Sequence, residues 1–183
     1  MNNTNGKIAE QSKKKIADAL IRVMEQYSFK EITITQLGQE SKLSRKTFYR
    51  LFQDKESVLS YIFEKMYIDC LKEIKSKEIT HYWDIVQCYF DYWGNRSDLL
   101  ILFNRNGLLH VLFEGAYKYS AEIFMQVRSQ ELIQEYSVPL PYLLAYSVGG
   151  IHSMLIKWIE NGIEISSHEL IDSLKTAFKS AEI

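Results

Sequence analysis

One stretch, residues 32–59 (ITITQLGQESKLSRKTFYRLFQDKESVL), constrains the fold of this chain more than any other. Its pattern predicts two short helices joined by a tight turn, with a third helix starting behind them. Thr33 is placed to cap the first helix, because Gln36 lies three residues later as the second partner of a capping box. Ser44 is placed to cap the second helix. This order of elements is typical of a helix-turn-helix that binds DNA.

The second predicted helix separates apolar from charged side chains. Phe48, Leu51 and Phe52 fall at i, i+3 and i+4 and therefore form an apolar stripe. Arg45 and Lys46 occupy the first turn, where each cation opposes the helix macrodipole at a cost of roughly 0.3–1 kcal/mol. Local stability does not explain them, whereas contact with a phosphate or a guanine edge would offset that cost.

We therefore predict that the outward side chains of this motif contact DNA. Arg45 and Lys46 are predicted to contact base edges or flanking phosphates, and Thr47 to make a base contact or a local cap. Lys55 follows the cap residue Asp54 and is predicted to bind phosphate beside the free N–H groups of the third helix. The candidate DNA-binding residues are Thr33, Thr35, Gln36, Ser44, Arg45, Lys46, Thr47, Tyr49, Arg50 and Lys55.

Residues 33–59, with the submotif TFYRLF at 47–52 and then Lys55-Glu56, resemble the N-terminal domain of the TetR/AcrR family of bacterial transcription regulators. The preceding helix fits this resemblance, because residues 16–27 carry an apolar stripe of helical period. The chain departs from the family pattern at Lys42, where Gly is common, and at Gly38, where Ala is usual. Lys42 must adopt a left-handed conformation at about 1 kcal/mol or use a different turn.

The resemblance implies an all-α protein with an N-terminal three-helix DNA-binding domain, residues 12–60, and a C-terminal helical bundle, residues 61–183. Composition agrees, because 46% hydrophobic residues and two prolines in 183 residues suit a packed helical chain. Residues 1–60 hold 11 Lys and Arg against 7 Asp and Glu, while residues 61–183 hold 11 against 16. The basic half thus carries the motif, as DNA binding requires.

Residues 1–11 are polar and lack apolar periodicity, which predicts a disordered arm. Lys7, with the lysines at 13–15, is placed either to reach DNA or to form a plain solvated surface. Family members commonly hold a small molecule in the C-terminal bundle, which implies a small hydrophobic or aromatic effector here. Aromatic and polar residues of that half are candidates to line such a pocket, although plain core is the alternative for each: Trp83, Phe90, Trp93, Phe103, His110, Phe113, Tyr117 and Tyr146.

Two glycines inside a helical pattern, Gly149 and Gly150, each cost about 1 kcal/mol against alanine, which indicates close backbone approach. The last two helices resemble the dimerisation end of many TetR-like regulators, and an intrachain core is the alternative. The predicted homodimer interface is Gly149, Gly150, Ile151, Leu155, Trp158, Ile159, Leu170, Ile171, Leu174 and Phe178.

The sequence offers no support for catalysis, a metal or a cofactor. The four histidines are scattered, Cys70 and Cys88 lack ligand spacing, and no glycine-rich phosphate loop is present. The chain shows neither a signal peptide nor an apolar run of membrane-spanning length, which predicts a soluble cytoplasmic protein.

The leading hypothesis is a homodimeric repressor that binds a palindromic double-stranded operator and is released by a small-molecule effector. The alternative is an activator or co-regulator whose C-terminal domain docks a protein partner without any small-molecule ligand.

Overall fold

The chain folds into helices, as the sequence predicts. The computed structural model describes residues 2–77, 79, 81–127 and 140–180. Within these residues it contains nine α-helices, one 3-10 turn and no strand. The helices are α1 Asn2–Met24, α2 Ile34–Ser41, α3 Arg45–Leu51, α4 Lys55–Ser76, α5 Tyr82–Gly94, α6 Ser97–Arg105, α7 Leu109–Val127, α8 Leu140–Glu160 and α9 Ser167–Ser180, and the 3-10 turn is Phe29–Glu31.

The chain divides into two compact units, Met1–Lys65 and Met66–Ile183. In the N-terminal unit α1 packs against α2 and α3, and α2 packs against α3. Ile16 and Leu20 of α1, Leu37 of α2 and Phe48 of α3 are at most 1% exposed. The apolar stripes predicted for these helices therefore meet in one small core. Burial of these side chains holds α2 and α3 in place.

Helix α1 begins at Asn2, so the structure differs from the disordered arm predicted for residues 1–11. Glu10, near the end of that segment, contacts residues distant in sequence. The Tyr61 hydroxyl donates to Glu10 Oε1 at 2.9 Å, and Lys65 Nζ lies 2.6 Å from the same oxygen. Lys65 also holds the pKa of the Glu10 carboxyl below its usual value. Lys13 lies over the rings of Phe52 and Tyr61, at 6.0 and 5.7 Å from their centroids.

In the C-terminal unit α8 packs against α6 and α7, while α9 packs against α5. The indole N–H of Trp158 donates to the carbonyl of Ile165 at 2.8 Å, which ties the end of α8 to the connection before α9. Asp91 of α5 accepts a 2.6 Å hydrogen bond from the hydroxyl of Ser167, at the start of α9. Among the described helices, none has the length and apolar character needed to cross a membrane.

Candidate nucleic-acid interface

Helix α2 starts with the capping box that the sequence predicts. Thr33 Oγ1 accepts from the backbone N–H of Gln36 at 3.3 Å, and Gln36 Oε1 accepts from the backbone N–H of Thr33 at 2.8 Å. This reciprocal pair satisfies two N–H groups that the helix would otherwise leave free. Gln36 therefore has its amide oxygen occupied, and only its amide N–H groups remain for DNA. Thr35 is exposed in the first turn of the same helix.

The turn between α2 and α3 uses both departures from the TetR/AcrR pattern. Lys42 has φ 58° and ψ 34°, the left-handed conformation that glycine normally supplies. A Cβ added to Gly38 would lie only 3.0 Å from the carbonyl oxygen of Leu43, a tight contact that glycine avoids. Leu43 also donates its N–H to the carbonyl of Gly38 at 3.0 Å. Lys42, where the TetR/AcrR pattern has glycine, and Gly38, where it has alanine, therefore both take part in the same turn.

Helix α3 is capped by Ser44, whose Oγ accepts from the backbone N–H of Thr47 at 3.1 Å. Thr47 Oγ1 lies 3.0 Å from the same hydroxyl, so of its two predicted roles the structure shows the local one. Phe48 points inward at 1% exposure and packs against Phe52, with a centroid separation of 6.0 Å. These contacts set which side of α3 faces out.

The outward side of α3 and the preceding turn form a basic surface, which we call the reading face: Lys42, Arg45, Lys46, Tyr49 and Arg50. All five side chains are exposed, and Tyr49 is 53% exposed. The sequence places no acidic residue between positions 40 and 54. Within the part of the chain that the structure describes, the three cations on α3 make no ion pair.

Two other cations of the N-terminal unit are engaged in ion pairs. Arg22 forms an ion pair with Glu40, and Lys65 forms one with Glu10. Exposed ion pairs reduce the charge available to an incoming anion, whereas Arg45, Lys46 and Arg50 keep their full charge.

Lys55 does not occupy the phosphate-binding position predicted for it. Its ammonium donates to the backbone carbonyls of Phe29, Lys30 and Ile32 at 2.7, 2.8 and 3.0 Å. An ammonium has three N–H donors, so all of them are used inside the protein. Lys55 therefore joins the start of α4 to the link between α1 and α2, a role that sequence spacing alone did not reveal.

The eight residues predicted to line a ligand pocket fall into separate groups. Phe90, Trp93 and Phe103 are completely buried, so the plain-core alternative describes them. Trp83 is half-buried against Phe178, with ring centroids 5.7 Å apart. The remaining four are exposed: His110, Phe113, Tyr117 and Tyr146. The plain-core alternative thus describes three of the eight candidates, and a ligand pocket among the others stays a prediction.

Sequence reasoning missed a surface cleft of about 420 Å³ at the end of α5 and beside the α8–α9 connection. Asp91, Trp158 and Ser167 lie in its wall, together with Glu73 of α4 and Lys77, which directly follows that helix. Of these, only Trp158 had been singled out, and then as an interface residue. In the sequence, Asn161-Gly162 indicates the end of one helix and Ser166-Ser167 the start of the next. These residues mark the connection beside the cleft but do not predict the cleft itself.

The predicted dimer interface is corrected at four positions. Leu155, Trp158, Ile159 and Ile171 are at most 5% exposed within their own chain, so the intrachain-core alternative holds for them. The apolar stripes of α8 and α9 are used to cover α5, α6 and α7. The other predicted residues are partly or fully exposed: Gly149, Gly150, Ile151, Leu170, Leu174 and Phe178.

Among the described residues, no group of three or more His, Cys, Asp or Glu side chains is placed to hold a metal ion. Cys70 and Cys88 are free and buried, and burial raises the pKa of both thiols. A raised pKa disfavours the nucleophilic thiolate at neutral pH.

Comparison with known proteins gives one similarity to a transcription regulator. No protein-family model matches the chain. The chain is 29% identical over 91 residues to the HTH-type dhaKLM operon transcriptional activator DhaS of Lactococcus lactis subsp. lactis (strain IL1403). That alignment covers half of this chain and 41% of the relative. The similarity supports DNA-binding transcription regulation, and it agrees with the expectation of a regulator rather than an enzyme.

Proposed function

We propose that this protein is a transcription regulator that binds a palindromic DNA operator as a homodimer through α3. The observation that carries the proposal is the unpaired, exposed reading face on a helix whose other side is locked into a core. Helix α3 has seven residues, and seven residues of α-helix span roughly 10 Å, which fits a major groove about 12 Å wide. The DhaS similarity and the TetR/AcrR-like motif support the same function.

Within the reading face we assign the first turn of α3 to the bases. Arg45 stands at the start of the helix, the part of a recognition helix that contacts base edges, and its guanidinium fits a guanine edge with two hydrogen bonds. Lys42, in the turn, and Arg50, at the far end, are placed for flanking phosphates. Tyr49 presents a hydroxyl between them that is suited to a phosphate oxygen.

The test is fluorescence anisotropy of the purified chain with a duplex from the promoter next to its own coding sequence, at two salt concentrations. Arg45→Ala should cost about 1–3 kcal/mol of operator binding and relax specificity at one base pair. Arg105→Ala is the matched control, because Arg105 is an exposed arginine on α6. Equal weak binding of the wild-type protein to promoter and scrambled duplexes would contradict operator reading.

The outward side of α8 is the surface we assign to the homodimer. Tyr142 and Tyr146 are 69% and 71% exposed, and no Asp, Glu, Lys or Arg occurs between residues 140 and 156. A Cβ added to Gly149 or Gly150 would meet no atom within 4 Å, so nothing in the described chain requires these glycines. A second copy packed closely on this side would require them, and two-fold symmetry would place two copies of α3 one DNA turn apart.

A charge placed on this surface should separate the subunits. Tyr146→Glu is expected to give a monomer in analytical ultracentrifugation, because an unpaired carboxylate in an apolar contact is strongly unfavourable. Operator affinity should fall at least tenfold, since each half-site is then bound alone. Ile101→Glu places the same charge at a 37% exposed residue on α6 and should leave the dimer intact. A Tyr146→Glu protein that stayed dimeric would move the interface elsewhere.

Activation through a protein partner is a second candidate function. It is favoured by the similarity to DhaS, a transcriptional activator, and by the exposure of Phe113 and Tyr117. Repression with release by an effector is what the TetR/AcrR resemblance implies. In vitro transcription from the bound promoter separates the two, because a repressor lowers transcript yield and an activator raises it.

A further inference from the structure

Four side chains of the N-terminal unit form a cluster between α1 and α4: Glu10, Lys13, Tyr61 and Lys65. The Tyr61 hydroxyl donates to Glu10 Oε1 at 2.9 Å, and the ammonium of Lys65 lies 2.6 Å from the same oxygen. The ammonium groups of Lys65 and Lys13 also lie 5.2 and 5.7 Å from the centroid of the Tyr61 ring. Two cations and one carboxylate therefore hold this ring in place.

The hydrogen bond between Tyr61 and Glu10 has a charged acceptor. Its two hydrogen bonds, first that from Lys65 and then that from Tyr61, lower the pKa of the Glu10 carboxyl, so the group is charged at pH 7. Burial raises the pKa of Tyr61, so its hydroxyl keeps the proton that it donates. A hydrogen bond to a charged acceptor is stronger than one between neutral groups. The charge of Glu10 therefore strengthens its hold on Tyr61.

A row of aromatic rings leads from Tyr61 to the reading face. The Tyr61 ring packs edge-on against Phe52, directly after α3, with centroids 5.6 Å apart. Phe52 contacts Phe48 at 6.0 Å, and Phe48 contacts Tyr49 edge-on at 5.5 Å. Phe48 and Phe52 are at most 7% exposed, and in a close-packed core a shift of one ring displaces the next. Tyr49 belongs to the reading face, so the row connects Glu10 to that face.

We propose that Glu10 is a positioning residue that sets the orientation of α3 through Tyr61 and Phe52. Glu10 lies outside residues 16–59, which carry the resemblance to the TetR/AcrR domain. A carboxylate does not bind phosphate, so Glu10 acts on DNA binding only through the other residues of this row. Its effect on operator affinity rests on the proposed function, whereas its effect on the orientation of α3 does not.

Glu10→Gln tests this role, because positioning and simple charge predict opposite effects on DNA binding. The glutamine keeps an oxygen that can accept from Tyr61 but loses the charge. If only charge mattered, removing a carboxylate from a DNA-binding unit would strengthen promoter binding. If Glu10 positions α3, promoter affinity in the anisotropy assay should fall about fivefold, within the range for substitutions in a coupled network. Glu25→Gln, at an exposed glutamate directly after α1, is the control and should not weaken binding.

A double-mutant cycle with Tyr61→Phe identifies the hydrogen bond as the cause. Tyr61→Phe keeps the ring against Phe52 and removes only the hydroxyl. If the two residues act through their shared bond, the double variant should bind the promoter about as well as the weaker single variant. Losses that simply multiply would contradict this link. Urea denaturation should give nearly the same midpoint for Glu10→Gln and wild type, because the Glu10–Lys65 pair is exposed. A strongly lowered midpoint would mean that Glu10 only stabilises the fold.

Amide NMR of the full chain without DNA keeps this proposal separate from the proposed function. Glu10→Gln should shift the amide signals of α3, residues 45–51, whereas Glu25→Gln should leave them unchanged. Unchanged α3 signals in Glu10→Gln, or stronger promoter binding by that variant, would overturn the positioning role and leave operator binding intact. Shifted α3 signals in a protein that does not prefer its promoter would overturn the proposed function and leave the link from Glu10 to α3 intact.

Discussion

Replacing Phe48 by alanine should destabilise the N-terminal unit by about 3–5 kcal/mol, the usual cost of removing a phenylalanine from a core. The side chain is 1% exposed and anchors α3 against Phe52. Small domains are stable by only about 5–15 kcal/mol, so this loss removes a large share of the total. Urea denaturation of the full chain, followed by circular dichroism, measures it as an earlier transition.

The adjacent residue provides the control for this prediction. Tyr49 is also aromatic, lies in the same turn of α3 and is 53% exposed. Tyr49→Ala should change the free energy of unfolding by less than about 0.5 kcal/mol, because surface substitutions rarely do more. It should instead weaken promoter binding in the anisotropy assay. If Tyr49→Ala unfolded the unit and Phe48→Ala did not, α3 would be turned by about one residue and the reading face would be misassigned.

The parts of the fold that sequence alone predicted are those whose partners lie a few residues apart. The Thr33 and Ser44 caps each bond to a backbone N–H three residues later, so spacing and residue type suffice to predict them. For Lys42 the sequence left two alternatives, a left-handed conformation or a different turn, and the structure shows the first. These local features orient the reading face, which is why the side chains on α3 were predicted correctly as outward-facing.

The features that sequence reasoning missed depend on distant contacts. Glu10 of α1 bonds to Tyr61, 51 residues later in the sequence. Trp158 was predicted at a dimer interface because it lies on an apolar stripe. An apolar stripe does not show which element packs against it. In the structure Phe90 of the same chain packs against Trp158, with ring centroids 5.6 Å apart. Apolar periodicity predicts that one side of a helix is buried. Which element packs on that side depends on the tertiary structure.

Lys55→Ala should lower the stability of the N-terminal unit by about 1.5–3 kcal/mol, the range for hydrogen bonds to a charged group. The alanine leaves the carbonyls of Phe29, Lys30 and Ile32 without their shared donor. It also removes the ammonium that lies 5.0 Å from the ring centroid of Phe29. Because these carbonyls belong to the link that precedes α2, the change should loosen the position of the helix-turn-helix. Urea denaturation measures the loss, and Lys30→Ala, at an exposed lysine, is the control.

Salt dependence distinguishes this positioning role from a phosphate contact. A lysine that binds phosphate contributes about 0.9 to the slope of log affinity against log salt, because its contact releases a counterion. If Lys55 acts through the three carbonyls, Lys55→Ala should weaken promoter binding at every salt concentration and leave that slope unchanged. Arg50→Ala, on the reading face, should reduce the slope by about 0.9 while leaving stability almost unchanged. A reduced slope with unchanged stability in Lys55→Ala would show instead that the ammonium leaves the carbonyls when DNA binds, as the sequence alone had suggested.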